Sequence, residues 1–376
     1  MPRGDSDNEN HTMSTKNSVA GTQSSYRLFG SYRLLLAVLV PVSHGGFGLI
    51  GFIGLLGLGN GGVFLFFVVS GFVISEALDL FYRNSIGKFV LNRCLKIFPG
   101  YWAATIITYI AFAAVGTDRL PTGFVIQLPT DPWAILVNVT MVLGYLKQGN
   151  NLTILSLTWA VVVEIMFYGL AAFSFFIAAK TRRPAMTLGI AAIGALCIYV
   201  FVWSTNTQAR FFGAFQFAPY FVFGSALYFF TKKKGVWKLV LMVTSFLLSV
   251  HAFYAYSTNL PVAGETWFSE YGLRWNVIFS MGVYILGAGL FVRLIKAHTT
   301  PKKEQIDKRF GDITYAVYLV HTPFIMLAAY FSLTGLTGML FTVTTVFGAA
   351  IAINLYVERP FMGLRDRFRG RRLYDQ

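Results

Sequence analysis

The stretch YRLLLAVLVPVSHGG, residues 32–46, carries an arginine and a histidine eleven positions apart in an apolar run. Eleven helical steps of 100° make three turns plus about 20°, so Arg33 and His44 lie on one helix face about 16 Å apart. Ionisable side chains inside a membrane helix are costly and usually functional. The spacing therefore favours a cation at the mouth of a passage and a reactive imidazole deeper inside it.

Other ionisable groups also fall inside apolar runs. Glu164 precedes Tyr168 by four residues, so the two share a helix face, and His321 lies in the run YAVYLVHTP. Two histidines and a carboxylate suit acid–base or nucleophilic chemistry on a hydroxyl. The predicted catalytic residues are His44, Glu164 and His321. The same three could instead bind a metal, but no tight ligand spacing supports that, and no metal is predicted.

A basic segment, YRNSIGKFVLNRCLKIFPGYW, precedes the third apolar run. Arg93 and Lys96 are three residues apart and share a helix face, whereas Lys88 is interpreted as a residue that only sets membrane orientation. Together with Arg33, the two would place three cations around one opening. Such a cluster suits a polyphosphate ligand.

Three further polar residues are given structural roles at this stage. Asp312 is predicted to cap the helix that carries His321. Ser70, beside Gly71, is interpreted as part of a close helix contact. Glu358 is predicted to be an ion-paired residue at a helix end.

The composition defines the class of protein that must hold these residues. Hydrophobic residues make up 55 % of the 376, and charged residues 12 %, against about 25 % in soluble domains. Ten apolar runs are long enough to cross about 30 Å of hydrocarbon. They lie at 33–56, 61–81, 99–117, 154–178, 185–204, 211–231, 236–256, 273–295, 313–333 and 335–356. The prediction is an all-α, polytopic membrane protein with about ten transmembrane helices.

A shorter run at 133–146 is too brief to cross comfortably and is predicted to be re-entrant or interfacial. Lysine and arginine cluster in alternate connections, which puts both termini in the cytoplasm by the positive-inside rule. The predicted organisation is a disordered cytoplasmic tail (1–26), a transmembrane domain (27–364) and a basic cytoplasmic tail (365–376). The net charge of +15 fits anionic membrane lipid. No basic–aromatic stripe supports nucleic acid as a partner.

In chain order, these segments resemble the acyltransferase-3 family of bacterial membrane O-acyltransferases. Arg33-x10-His44 is similar to its R-x10-H signature, GVFLFFVVSGFVIS to its second-span motif, and NRCLKIFPGYW to its basic segment. TWAVVVEIMFY is similar to its Trp-Ser-x-x-x-Glu-Glu-Gln-Phe-Tyr motif, YAVYLVHTP to its histidine motif, and ERPF to its terminal motif. Ile165 replaces the second acid of the Glu-Glu pair, so Glu164 alone keeps the charge.

The resemblance implies transfer of an acyl group, commonly acetyl, from cytoplasmic acyl-CoA to a hydroxyl of a sugar-containing acceptor, which is often lipid-linked. It also implies the bacterial inner membrane. His44 would act as general base or through an acyl-histidine, assisted by Glu164 and His321. The expected residues that bind the co-substrate acyl-CoA are Arg33, Arg93 and Lys96. The expected substrate-binding residues are Trp159, Tyr168 and Tyr318.

A second class of function stays open from the residues alone. A proton-coupled transporter or flippase of a lipid-linked glycan could use His44, Glu164 and His321 as a proton relay. The sequence leaves the acceptor and the oligomeric state undetermined.

Overall fold

The computed structural model describes residues 28–44, 58–82, 85–116, 128–143, 153–155, 157–206, 213–258, 275–297 and 299–369. A few side chains inside these ranges lie outside the description, namely those of His44, Trp275, Asn276, Asp366, Phe368 and Arg369. The described residues form helices and short connections and contain no strand.

The helices are numbered in chain order. They are α1 Phe29–His44, α2 Leu58–Leu80, α3 Ile86–Val115, α4 Pro132–Thr140, α5 Thr158–Ala179, α6 Pro184–Thr205, α7 Ala218–Lys232, α8 Val236–Thr258, α9 Trp275–Leu294, α10 Pro301–Tyr330, α11 Gly335–Ile353 and α12 Arg359–Arg369. A 3₁₀ turn, Ala214–Phe217, leads into α7, and a π-helical turn, Asn354–Glu358, joins α11 to α12.

Each of the ten predicted apolar runs overlaps a helix, although residues 45–56 of the first run lie outside the described residues. Eight helices of the described chain are long and apolar enough to cross a membrane: α2, α3, α5, α6, α8, α9, α10 and the continuous rod from α11 into α12. The other two, α1 with 16 residues and α7 with 15, are shorter. The prediction of an all-α, multi-pass membrane protein is confirmed, and the orientation of its termini stays a prediction.

The short run at 133–146 forms α4, whose nine residues extend only about 13 Å. Its first turn is capped by Asp131, whose carboxylate accepts a hydrogen bond from the Ala134 amide at 2.9 Å. A helix of this length does not cross the hydrocarbon layer, as the sequence indicated. The predicted tail 1–26 lies outside the described residues, and α12 extends through the first five residues of the predicted tail 365–376.

The prediction that Asp312 caps a helix is wrong. The helix α10 begins at Pro301 and continues through Asp312 to Tyr330 without interruption. Its polar start, PKKEQIDKRFGD, has the same helical period as the apolar span, so the change from polar to apolar sequence marks no helix end.

The helix α2 lies at the centre of the bundle and packs against α1, α5, α7 and α9. Its crossing with α7 depends on two glycines. A Cβ added at Gly224 would lie 2.0 Å from the carbonyl oxygen of Val68, and one at Gly71 would lie 2.2 Å from that of Phe221. Only residues without a side chain allow this approach, which fixes α2 and the residues it carries.

Candidate active site

A cavity lies between α1, α2, α3, α5 and α10, with about 860 Å³ of empty space including its open mouth. Apolar side chains form much of its wall, among them Val63, Phe66 and Ile97. Six of the nine predicted site residues also line it: Arg33, Arg93, Lys96, Glu164, Tyr168 and Tyr318. Four separate helices carry these six residues, so the fold assembles a site that no single motif contains.

Arg33 is positioned by an unusual cap on α1. The carboxylate of Asp307, on α10, accepts hydrogen bonds from the backbone amides of Gly30 at 2.9 Å and Ser31 at 2.7 Å. Amides in the first turn of a helix have no partner within that helix. Asp307 therefore caps α1 from a neighbouring helix and fixes the turn that carries Arg33.

Arg93 and Lys96 both point into the cavity from α3, as their three-residue spacing predicted. The guanidinium carbon of Arg93 lies 5.2 Å from the ring centre of Tyr168 and 5.3 Å from that of Phe89. Both distances suit a cation–π interaction. The Nε atom of Arg93 is buried and has no hydrogen-bond partner among the described residues.

The cluster has an excess of positive charge. Within the described chain, no carboxylate lies within 4 Å of the charged groups of Arg33, Arg93 or Lys96, whereas Lys232 forms an ion pair with Asp79 elsewhere. Lys96 is close enough to interact with the like charges of Arg33 and Arg93 and with the opposite charge of Glu164. Three cations against one carboxylate leave an excess of positive charge, which is costly unless the cations bind an anion, so the arrangement is suited to phosphate or carboxylate ligands.

Glu164 is held by two hydroxyl groups. Ser70 from α2 and Tyr168 from α5 each donate a hydrogen bond to the same oxygen, Oε1, and their own oxygens are 3.4 Å apart. The prediction that Glu164 and Tyr168 share a helix face is confirmed. The purely structural interpretation of Ser70 is wrong, because its hydroxyl lies in the cavity and orients the carboxylate. The available signal was a lone hydroxyl within the apolar run FLFFVVSGF.

Two tyrosines on α10 form another wall of the cavity. Tyr318 donates a hydrogen bond to the Leu157 carbonyl at 3.0 Å, and Tyr315 donates one to the Ile97 carbonyl at 3.2 Å. Sequence reasoning missed Tyr315, although its position three residues before Tyr318 puts it on the same helix face. Both rings bridge α10 to neighbouring helices and so stiffen the wall.

Two predicted site residues, His321 and Trp159, do not line the cavity. His321 is fully buried one turn beyond Tyr318, and its Nδ1 lies 2.6 Å from the Tyr318 carbonyl oxygen. Trp159 packs against Phe217, with ring centres 5.3 Å apart. His44 is the last residue of α1, and its side chain lies outside the described residues. Their catalytic and substrate-binding roles stay predictions.

Glu358 does not form the predicted ion pair. Its Oε2 accepts a hydrogen bond from Asn354 Nδ2 at 3.3 Å inside the π-helical turn, and no cation of the described chain lies within 4 Å. Its Oε1 faces Gly100 of α3, where an added Cβ would lie 2.7 Å away. The terminal motif thus packs against the middle of α3.

The described helices are those of a multi-pass membrane protein, and the family match makes it a membrane-bound acyltransferase. A family model described as an acyltransferase domain matches residues 32–357, which include all the described residues that line the cavity. The chain therefore belongs to the acyltransferase-3 family, as the motifs indicated. Neither the curated proteins nor the solved structures give a match to this chain.

Proposed function

We propose that the protein is an acyl-CoA-dependent O-acyltransferase of the bacterial inner membrane. It transfers an acyl group, most simply acetyl, from cytoplasmic acyl-CoA to a hydroxyl of a sugar-containing acceptor. The observation that carries this proposal is the cavity in which Arg33, Arg93 and Lys96 meet without an acidic ion-pair partner among the described residues. The family supplies the acyl-transfer chemistry.

The three cations bind the phosphates of the donor. Arginine matches phosphate geometry with two parallel hydrogen bonds, and lysine contributes a compact point charge. Arg33 lies near the start of α1 and His44 at its end, about 16 Å along the axis. The pantetheine arm of the donor runs along this helix, and its thioester reaches the level of His44.

In the reaction, His44 accepts the proton of the acceptor hydroxyl while the hydroxyl oxygen forms a bond to the thioester carbonyl carbon. The carbon–sulfur bond then breaks, and His44 returns the proton to the leaving sulfur. The products are the ester and free CoA. An acyl-histidine route has the same balance in two steps, with the imidazole as nucleophile.

Glu164 orients a hydroxyl of the acceptor. Its two donors, Ser70 and Tyr168, hold the carboxylate in one position, and preorganised groups contribute more to catalysis than mobile ones. Tyr168 and Tyr318 contact the acceptor from the cavity wall. Trp159, which packs against Phe217, contacts the acceptor from beside that wall. His321 serves as a second acid–base group.

The test uses purified protein in detergent with acetyl-CoA labelled in the acetyl group. The proposal expects label in a hydroxylated glycan, and loss of that label in His44→Ala. Proton-coupled glycan flux without acylation would instead support the transporter. In cells, comparing the acetyl content of surface glycan by NMR with and without the protein identifies the acceptor, and an unchanged content would contradict a glycan acceptor.

A further inference from the structure

A second cavity lies behind the first, between α2, α5, α6, α7 and α8, with about 930 Å³ of empty space including its opening. Ala171, Ala192, Phe229 and Trp237 are among the residues that line it. Only one layer of side chains separates the two cavities, because Ile74 and Tyr168 line both.

The chemistry of this second cavity favours hydrocarbon. Its wall is apolar apart from a few hydroxyls and one lysine. Ser174 already donates to the Leu170 carbonyl at 2.8 Å, and Ser225 to the Gly71 carbonyl at 3.2 Å. These hydroxyls satisfy backbone groups of the helices, so they offer a polar ligand little.

A cation sits at the rim. The Nζ atom of Lys238 donates to the carbonyls of Phe229 at 3.2 Å and Lys233 at 2.9 Å, the last turn of α7 and its end. An ammonium has three donors, so one remains for a ligand. Exposed Lys233 and Lys234 precede Lys238 by five and four residues. The rim therefore has the charge that attracts an anionic headgroup at a membrane surface.

We propose that this cavity binds one anionic membrane phospholipid, with a hydrocarbon chain inside the cavity and its phosphate at Lys238. Charge complementarity selects the lipid class: the lysine-rich rim favours phosphatidylglycerol over a zwitterionic phospholipid. The site is separate from acyl transfer, and its test needs no enzyme activity.

Native mass spectrometry of the purified protein, exchanged into an equal mixture of phosphatidylglycerol and phosphatidylcholine, measures retained lipid. Wild type should keep one phosphatidylglycerol. Ala192→Phe, which fills the cavity, should lose it, whereas Ile193→Phe on the exposed face of the same helix should keep it. Lys238→Gln should lower the preference for phosphatidylglycerol about fivefold while still retaining lipid.

Size-exclusion chromatography identifies a variant that misfolds. A second measurement needs no variant and uses the wild-type protein alone. Phosphatidylglycerol with a photoreactive group on its chain should crosslink to 185–195 of α6. Crosslinks confined to the outward faces of other helices would overturn the proposal. So would full retention by Ala192→Phe, or a lipid preference unchanged by Lys238→Gln.

Discussion

Replacing Lys96 by methionine removes one positive charge from the cavity that Arg33, Arg93 and Lys96 line (the cation cavity). The substitution keeps an unbranched side chain of similar length. Lys96 is on α3 and lines the cavity together with two arginines. No carboxylate of the described chain lies within 4 Å of its ammonium group. Its charge therefore stabilises no native ion pair there. The proposal assigns that charge to a donor phosphate, so Lys96→Met should weaken donor binding.

A hydrogen bond to a charged group contributes about 1.5–3 kcal/mol, and 1.4 kcal/mol corresponds to a factor of ten, so KM for acetyl-CoA should rise about 10- to 150-fold. The turnover number should change little, because the phosphates bind equally in the ground and transition states. The free energy of unfolding should change little, because the substitution removes both the repulsion from Arg33 and Arg93 and the attraction to Glu164.

The assay compares acetyl-CoA with acetyl-pantetheine, a donor without the nucleotide phosphates. Lys96→Met should impair use of acetyl-CoA and leave acetyl-pantetheine unaffected. Lys88→Met is the matched control, since Lys88 is exposed on the same helix and does not line the cavity. Equal loss with both donors, or a loss in Lys88→Met as large as that in Lys96→Met, would refute the assignment of Lys96 to donor phosphate.

Three further substitutions test the geometry. Ser70→Ala removes a donor to the Glu164 carboxylate and should lower the free energy of unfolding by about 1.5–3 kcal/mol, measured by thermal unfolding. Its effect on kcat should disappear in a Glu164→Gln background. Additive effects of the two substitutions on kcat would show that the two residues act separately. Gly224→Ala should destabilise the protein by about 1–3 kcal/mol, because its Cβ would meet a backbone carbonyl of α2. Gly169→Ala, which has open space around it, should leave stability unchanged. Equal melting temperatures of the two variants would contradict the close packing of α2 against α7. Asp307→Asn should shift α1 and raise KM for acetyl-CoA more than it lowers kcat; a fall in kcat alone would argue against a positioning role.

The sequence predicted the cation cavity well because two physical rules applied directly. Helical periodicity placed Arg93 and Lys96 on one face, and the charge distribution placed Arg33 at the same side of the membrane. Both rules use only residues near each other in the chain or a general property of membranes. The structure adds that all three side chains line one cavity.

The errors arose where a contact joins residues far apart in the chain. Ser70 was treated as structural because periodicity cannot show that α2 faces Glu164 on α5. The sequence does not single out Asp307, because a cap supplied by another helix has no local signature. The sequence predicts Asp312 as a local cap, because nothing local shows that the helix begins earlier, at Pro301. Glu358 lies in a π-helical turn. A π-helical turn places side chains at different angles around the axis than the regular α-helix that the sequence pattern predicts.

The most direct test of the account measures acetyl-CoA binding and acetyl transfer in the same His44→Ala protein. The account predicts saturable binding of labelled acetyl-CoA, with transfer slowed by about 10²–10⁴-fold. Adding Lys96→Met should weaken that binding about 10- to 150-fold. Transfer near the wild-type rate in His44→Ala would contradict the account, as would binding that survives the second substitution unchanged.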